Sequence, residues 1–231
     1  MQSSAATLAY ARKLLDTYQS NQTKSPQTTI IKVFSESNYF ESERQRDSEL
    51  FNWIFAGQDT TGLTLANSIV LLAKHQEEQK LVREALRSNA ESSARDIPIF
   101  RNVVKECMRL VPVVAMGAVR QVGKDMHMED GTTIPKGAVC MLNQFVCNRN
   151  PEVFPNPEEF RPERWETIAM KDPLSFAAGP RNCPGQYLAT AQINSLLPRI
   201  LAEFNLEIAD EGTLEFLGTL KFNSKVRAKK L

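Results

Sequence analysis

The residues best able to do chemistry lie in one short segment near the C-terminus, Phe176 to Gly185, with the sequence FAAGPRNCPG. Its single thiol, Cys183, precedes an apolar run from Gln186 to Phe204 that predicts a helix. A thiol before a helix N-terminus lies near unpaired amide donors and the positive end of the helix dipole. Arg181 adds a positive charge, so the thiolate form is favoured. A thiolate can serve as a nucleophile, a redox group or a metal ligand.

The rest of the chain favours the metal ligand. The only histidines, His75 and His127, are far from Cys183 in sequence, and no second cysteine completes a Cys-x-x-Cys spacing. A nucleophile would therefore lack an adjacent base. A single thiolate between glycines, with an aromatic residue nearby, suits the axial ligand of a large flat cofactor such as haem. The competing interpretation is that Cys183 is a small buried apolar residue, as lone cysteines usually are.

The segment matches the signature Phe-x-x-Gly-x-Arg-x-Cys-x-Gly, and the chain therefore resembles the cytochromes P450. The resemblance implies haem b as cofactor, with Cys183 as axial ligand of the iron, Phe176 packed near the porphyrin and Arg181 paired with a propionate. Gly179 and Gly185 would permit backbone conformations or close approaches that a Cβ would block. In this family, electron donation by the thiolate favours cleavage of the O–O bond.

A second motif interrupts a long helical pattern. A repeating step of three or four residues predicts one face of an α-helix, apolar except at Thr61: Leu50, Ile54, Thr61, Leu65, Ile69 and Leu72. Residues 57–61 break this stripe, and the segment AGQDTT, residues 56–61, resembles the P450 distal helix. The resemblance implies that Gly57 opens a groove for dioxygen, and that Asp59 and Thr60 relay protons into it. The competing interpretation is an Asp-Thr pair on a solvated helix face.

A third motif combines a helix with a downstream loop. The helix is predicted from Ile99 to Leu110, ends before Pro112 and carries the Glu-x-x-Arg pair Glu106 and Arg109. The loop contains FRPERW, residues 160–165, in which Trp165 replaces the phenylalanine usual in P450s. The resemblance implies that Glu106, Arg109 and Arg164 form a buried, mutually paired charge network behind the haem.

Short strands and turns are predicted between these motifs. Strand-forming residues at 119–122 and 138–142, with turn signals at Asp130-Gly131 and 135–137, predict antiparallel hairpins. By resemblance, Arg120 binds a second propionate; otherwise it is an ordinary strand charge. Prolines at 151, 155, 157 and 162 predict an irregular loop. Pro198 is expected to kink or end the helix after Cys183, and Thr219 to Phe222 to form part of a closing hairpin.

Composition excludes some classes of function. With 28 Lys and Arg against 27 Asp and Glu, the net charge of +1 gives no electrostatic case for nucleic acid. No stretch reaches the ~18 consecutive apolar residues of a membrane helix. The four cysteines, 107, 140, 147 and 183, show no disulfide or zinc spacing, which favours a reducing compartment. We expect the cytoplasm or the cytoplasmic face of the endoplasmic reticulum.

The predicted fold is mainly α with small antiparallel β hairpins, an α+β class that corresponds to the C-terminal half of a P450-type fold. Residues 49–231 are predicted to form this partial haem-thiolate domain. Residues 1–48 are predicted to hold a short helix at Leu8, Leu14, Leu15 and Tyr18 and a polar connector from Ser20 to Thr29. Without the remaining half, the apolar faces of the distal helix and of the helix after Cys183 should lie exposed.

Three functions follow from the resemblance. The leading one is a haem-thiolate monooxygenase that inserts one atom of O₂ into a small lipophilic substrate. Its electrons would come from NADPH or NADH through a flavoprotein reductase or another donor. The second is a haem-binding module that cannot turn over, and the third is a truncated gene product without an independent fold.

Overall fold

The computed structural model describes residue 9 and residues 12–13, 15–17, 20, 30–36, 38–170 and 172–231. The chain divides into two compact units, Met1–Asp59 and Thr60–Leu231. The helix predicted at Leu8, Leu14 and Tyr18 and the connector over 21–29 lie outside the described residues. Leu15, the remaining member of that prediction, is helical and buried.

The first unit contains helix α1, Ile30–Glu36, and the N-terminal part of helix α2, Glu43–Lys74. Leu15, Phe34 and Leu50 form its small buried cluster. Asp47, which is also buried, forms an ion pair with Arg12, and the distance from Asp47 Oδ2 to Arg12 Nη2 is 2.8 Å. Helix α2 is α-helical at every residue, so the helix predicted from the Leu50 to Leu72 pattern is confirmed.

The second unit continues with two amphipathic helices, α3 (Gln76–Ser88) and α4 (Pro98–Leu110), separated by a 3-10 turn at Ala94–Asp96. Helix α4 begins one residue before the predicted start, with Pro98 in the first turn, where its missing N–H has no helical partner to lose. It ends at Leu110, as predicted from Pro112. Its buried face supplies much of the core.

The strands form four two-stranded antiparallel sheets within the described ranges. Strand β1 (Val119–Gln121) pairs with β4 (Val139–Met141), and between them β2 (Met126–His127) pairs with β3 (Thr133–Ile134). Near the C-terminus β5 (Phe204–Asp210) pairs with β8 (Lys225–Lys230), and β6 (Leu214–Phe216) pairs with β7 (Leu220–Phe222). Gly131, Gly137 and Gly218 have positive φ, as the predicted turns require. The hairpin predictions are confirmed.

Two short helices, α5 (Gln144–Cys147) and α6 (Arg164–Thr167), flank the proline-containing loop, which has no strand or longer helix. Single 3-10 turns at Leu174–Phe176 and Gly179–Arg181 lead to helix α7, Gln186–Glu203. Helix α7 includes Pro198 and continues to Glu203, so the helix does not end at Pro198, and the kink expected as the other outcome stays a prediction. Leu197 and Leu201, on either side of it, are fully buried, and this packing offsets the missing N–H.

The main hydrophobic core lies among α2, α3, α4 and α7 and includes Leu72, Val82, Phe100, Val103 and Leu197. Two buried carboxamides connect these helices to the sheets. Gln79 of α3 both donates to the carbonyl of Leu206 and accepts from its N–H, at 2.9 Å each. Asn67 of α2 donates to the carbonyl of Leu220 and accepts from the N–H of Phe222, both on strand β7.

Exposed apolar side chains remain on the surface of the second unit. Tyr187 and Leu188 at the start of α7 are 81% and 58% exposed, and Leu196 lies farther along the same helix. The predicted exposure is therefore observed for part of this helix, whose Ile193, Leu197 and Leu201 are buried. Among the residues that the structure describes, no helix combines the length and apolar character needed to cross a bilayer.

Candidate functional site

A cavity of about 360 Å³ in the second unit is lined by five of the predicted site residues, Thr60, Arg120, Phe176, Arg181 and Cys183. Its walls come from α2, the chain after α4, strand β1, the loop around Cys183 and the start of α7. The lining residues are Thr60, Thr61, Thr64, Met108, Val111, Pro112, Val113, Val114, Gly117, Ala118, Arg120, Gln144, Ser175, Phe176, Ala177, Arg181, Cys183, Ala189 and Ile193. This volume and its largely apolar wall with a few polar groups are typical of a small-molecule site.

The Cys183 loop presents its thiol to this cavity. Cys183 is exposed, and its backbone N–H donates to the carbonyl of Phe176 at 2.9 Å, which closes the loop. Gly179 has φ +79, a conformation that a side chain would disfavour. Gly185 differs, because its φ is −84 and an added Cβ would lie 3.8 Å from the Cys183 Sγ, an ordinary contact. The conformational need for glycine is therefore present at Gly179, whereas at Gly185 neither φ nor the neighbouring protein atoms require it, and a close approach of the cofactor there stays a prediction.

The same loop holds one residue in an unfavourable conformation. Ala177 has φ +57 and ψ −168, a region that glycine alone occupies readily. Ala177 follows Phe176, whose carbonyl accepts the hydrogen bond from Cys183, and it precedes the turn that begins at Gly179. Nothing in the sequence FAAG singles out its second residue for such a conformation.

Positive charge enters the cavity from two sides. Arg181 lies two residues before Cys183, and Arg120 lies on strand β1. Both side chains line the cavity and both residues are exposed. The Arg120 Nη1 donates to its neighbouring carbonyl, that of Val119, at 2.9 Å. The structure thus brings Phe176, Arg181, Cys183 and Arg120 to one cavity.

The distal motif is divided between the two units. Thr60 and Thr61 line the cavity, as does Thr64, whose hydroxyl donates to the Thr60 carbonyl at 2.8 Å. Gly57 and Asp59 belong to the first unit, are exposed, and are not among the lining residues. Thr64 was not predicted as a site residue, although its spacing of four from Thr60 places it on the same helix face.

Glu106 is the centre of a buried hydrogen-bond network whose members are not among the cavity-lining residues. Its Oε2 and Oε1 accept from Arg109 Nε and Nη2 at 2.9 and 2.8 Å, and Oε1 also accepts from Arg164 Nε at 3.0 Å. Glu106 and Arg109 are fully buried and Arg164 nearly so. The structure therefore brings the three predicted network residues together.

Two further donors to Glu106 were not predicted from sequence. The indole N–H of Trp165 donates to Oε2 and the backbone N–H of Arg161 to Oε1, each at 2.9 Å. Five donors thus surround one carboxylate, which satisfies the condition for burying a charge. The signal was available in the tryptophan itself, since an indole has a donor that phenylalanine lacks.

The two arginines use their remaining donors on the backbone of the proline-containing loop. Arg109 donates to the carbonyls of Asn148, Pro157 and Glu159, and Arg164 to those of Pro155, Asn156 and Glu159, at distances of 2.7 to 3.2 Å. A loop without regular structure must find partners for its carbonyls elsewhere. The network supplies them.

Two other side chains near the cavity have distinct chemistry. Gln144 is 3% exposed and lines the cavity, yet its Oε1 has no hydrogen-bond partner within the described part of the chain. Cys107, in contrast with Cys183, is fully buried on α4, and loss of solvation raises the pKa of its thiol to about 12. Cys183 is therefore the accessible thiol of the pair.

Known proteins resemble this chain in both sequence and fold. The family model described as cytochrome P450 matches residues 10–225, farther toward the N-terminus than the Glu49 boundary inferred from the motifs. A rat protein, cytochrome P450 4F4, is 34% identical over 71% of this chain and 34% of its own length. A fruit-fly protein, cytochrome P450 4c3, is 32% identical over 85% of this chain and 39% of its own.

A mouse protein, leukotriene-B4 omega-hydroxylase 3, is 32% identical over 83% of this chain and 40% of its own length. A crystal structure of a cytochrome P450 (CYP102L1) superposes with a TM-score of 0.86 at 20% identity, over 98% of this chain and 56% of that one. The predicted α+β fold is confirmed by this similarity. The chain spans well under half the length of the three relatives described.

Proposed function

We propose that this chain, which belongs to the cytochrome P450 family, carries the haem-ligating part of a haem-thiolate monooxygenase. The observation that carries the proposal is the exposed Cys183 thiol on the wall of a cavity that also holds Arg120, Arg181 and Phe176. The reaction would insert one atom of O₂ into a lipophilic substrate. Because the relatives are longer, this activity is proposed for the protein to which the matched region belongs.

The residues present fit haem b. A thiol at one wall can ligate iron, and two arginines in the same cavity match two propionates in number and sign. The valines at 111, 113 and 114 supply apolar contact for a macrocycle. When bound, the haem iron with its thiolate ligand supplies the oxygen-activating chemistry. We assign the iron ligand to Cys183, the propionate contacts to Arg120 and Arg181, and the loop support to Phe176, Gly179 and Gly185.

The chain's own residues then have separable tasks. The hydroxyl of Thr60, at the cavity wall, would hand a proton into the cavity, and Asp59 next to it would resupply that proton. Gly57 would leave space beside them. The Glu106, Arg109 and Arg164 network would keep the proline-containing loop, and with it the region before Cys183, in a fixed arrangement.

Substrate and electron donor follow at the level of class. The apolar wall favours a small lipophilic substrate, and one relative is named as a hydroxylase of leukotriene B4, itself a lipid. Electrons would come from NADPH or NADH through a flavoprotein reductase or another donor. A site at the cytoplasmic face of the endoplasmic reticulum or in the cytoplasm is consistent with four free cysteines.

A second candidate is a haem-binding module without turnover. The exposed Asp59, which is not among the cavity-lining residues, favours it, because turnover requires a supply of protons to the cavity. Both candidates have the thiolate ligand, and only the first oxidises a substrate.

The test is the absorption spectrum of the haem-reconstituted chain, reduced and exposed to carbon monoxide. Cys183→Ala is the test variant and Cys140→Ala, at a half-buried strand position, is the matched control. We expect a strongly red-shifted Soret band in the parent and the control that is lost in Cys183→Ala. Absence of haem uptake by the parent, or a band that Cys183→Ala leaves unchanged, would refute the assignment for this chain. Oxidation of a fatty acid after addition of a reductase then separates the two candidates.

A further inference from the structure

The side chain of Asn67 on helix α2 connects that helix to the backbone of strand β7. Its Nδ2 donates to the carbonyl of Leu220, and its Oδ1 accepts from the N–H of Phe222, each at 3.0 Å. Asn67 is 2% exposed, so both polar atoms of its amide are used within the protein interior. A carboxamide in this position replaces the neighbouring strand that β7 lacks on that edge.

The same strand edge touches the cavity wall. The N–H of Leu220 donates to the carbonyl of Val113 at 2.9 Å, and Val113 lines the cavity. Residues 219 and 221 of the hairpin are directed to β6 instead, since Thr219 accepts from Leu217 and Lys221 pairs with Glu215. Asn67 and Val113 therefore share the outer edge of β7.

The wall segment from Val113 to Ala118 has few other supports. Its far end is held by Phe145, whose N–H donates to the carbonyl of Ala115, and by Leu142, whose N–H donates to that of Ala118, both at 3.1 Å. Within it, the N–H of Gly117 donates to the carbonyl of Val114 at 2.9 Å. On the Val113 side, the hydrogen bond from Leu220 is the backbone contact that connects the wall to the hairpin.

We propose that Asn67 is a positioning residue that fixes the Val113–Val114 wall of the cavity by holding strand β7. The role of that wall in substrate binding rests on the function proposed above. The chain of contacts runs from the Asn67 amide to Leu220 and Phe222, then from the Leu220 N–H to Val113. Asn67 itself is not among the cavity-lining residues, so it acts through the wall.

Hydrogen exchange of the full chain without haem tests the contacts directly. In Asn67→Leu, which keeps similar bulk and removes both hydrogen bonds, we expect the amides of Leu220, Phe222 and Gly117 to exchange about tenfold faster or more. Asn52→Leu is the matched control, since Asn52 is an exposed asparagine on the same helix. The amide of Val111, which donates to Cys107 on α4, is the internal reference and should not change.

Asn67→Asp provides a second variant that is close to the native shape. It keeps an acceptor for the Phe222 N–H and loses the donor to the Leu220 carbonyl, so exchange at Leu220 and Gly117 should quicken more than at Phe222. If Gly117 keeps its protection while β7 loses it, Asn67 only anchors the hairpin and the proposal is wrong. If Val111 quickens equally with the others, the effect is global unfolding and the proposal is again wrong.

A ligand comparison in the haem-loaded chain separates this proposal from the function on which it rests. Imidazole reports access to the iron, whereas 1-phenylimidazole also requires the apolar wall. We expect Asn67→Leu to weaken 1-phenylimidazole by about tenfold and imidazole by less than about twofold. Equal weakening of both would contradict the positioning role. A parent chain that binds neither ligand would count against the haem assignment and leave the exchange result to stand alone.

Discussion

Replacement of Glu106 by glutamine tests how much the buried network contributes to folding. The carboxylate accepts three hydrogen bonds on Oε1 and two on Oε2. A glutamine amide keeps one acceptor oxygen and turns the other position into a donor. If the NH₂ group takes the Oε2 position, it faces Arg109 Nε and Trp165 Nε1; the other orientation faces three donors.

At least two hydrogen bonds to a charged group are therefore lost, each worth about 1.5–3 kcal/mol. Both guanidinium groups also lose their buried counter-charge, a change that costs about 3–5 kcal/mol in comparable pairs. The two routes describe the same loss, so we expect Glu106→Gln to lower the free energy of unfolding by about 3–5 kcal/mol. Trp165→Phe, which removes one donor to Oε2, should cost about 1.5–3 kcal/mol.

Urea denaturation of the full chain, followed by far-UV circular dichroism, measures these differences. Glu158→Gln is the matched control, because Glu158 pairs with Arg149 at 2.9 Å while its side chain is 72% exposed. That change should cost less than about 1 kcal/mol. A loss for Glu106→Gln no larger than for Glu158→Gln would show that the network contributes little to stability, and the reasoning would be refuted.

Two other predictions concern a glycine and a histidine. Gly117 has φ +65, and the Cβ of Gly117→Ala would overlap the Leu142 carbonyl oxygen at 1.8 Å; Gly131 has φ +85, and the Cβ of Gly131→Ala meets nothing within 4 Å. We expect the backbone conformation to lower the free energy of unfolding of each variant by about 1–2 kcal/mol. The overlap should lower that of Gly117→Ala by about 1–3 kcal/mol more. Equal losses in urea denaturation would contradict the clash. Burial lowers the pKa of His75, whose ring stacks on Phe160 at 4.4 Å, so the folded state favours the neutral ring and its stability should fall as pH falls through about 6.5. His75→Phe should lack that part of the pH dependence, and identical pH profiles for the two proteins would count against it.

Much of the fold was predictable because its signals are local. The periodicity from Leu50 to Leu72 and the stop at Pro112 gave the positions of α2 and α4, and the glycine turns gave the hairpins. The continuation of α7 beyond Pro198 was not predictable in this way, since it depends on the burial of Leu197 and Leu201, which helix propensity does not describe. Tertiary contacts therefore determine where α7 ends.

Site residues that belong to one sequence motif were predictable, and contacts between distant segments were not. Phe176, Arg181 and Cys183 follow from the spacing of one segment, and the structure places all three on one cavity. The Asn67 contact with β7 joins residues more than 150 positions apart. No pattern within helix α2 distinguishes that asparagine from the exposed Asn52.

The proline-containing loop is recognised through its carbonyl oxygens. Arg109 and Arg164 contact the main chain of residues 148–159, and every amino acid offers the same carbonyl there. The loop should therefore accept many substitutions at positions such as Pro157 and Glu159. A deletion or insertion of one residue would move the carbonyls out of step with two rigid guanidinium groups. We therefore expect substitutions in this loop to be tolerated better than changes in its length.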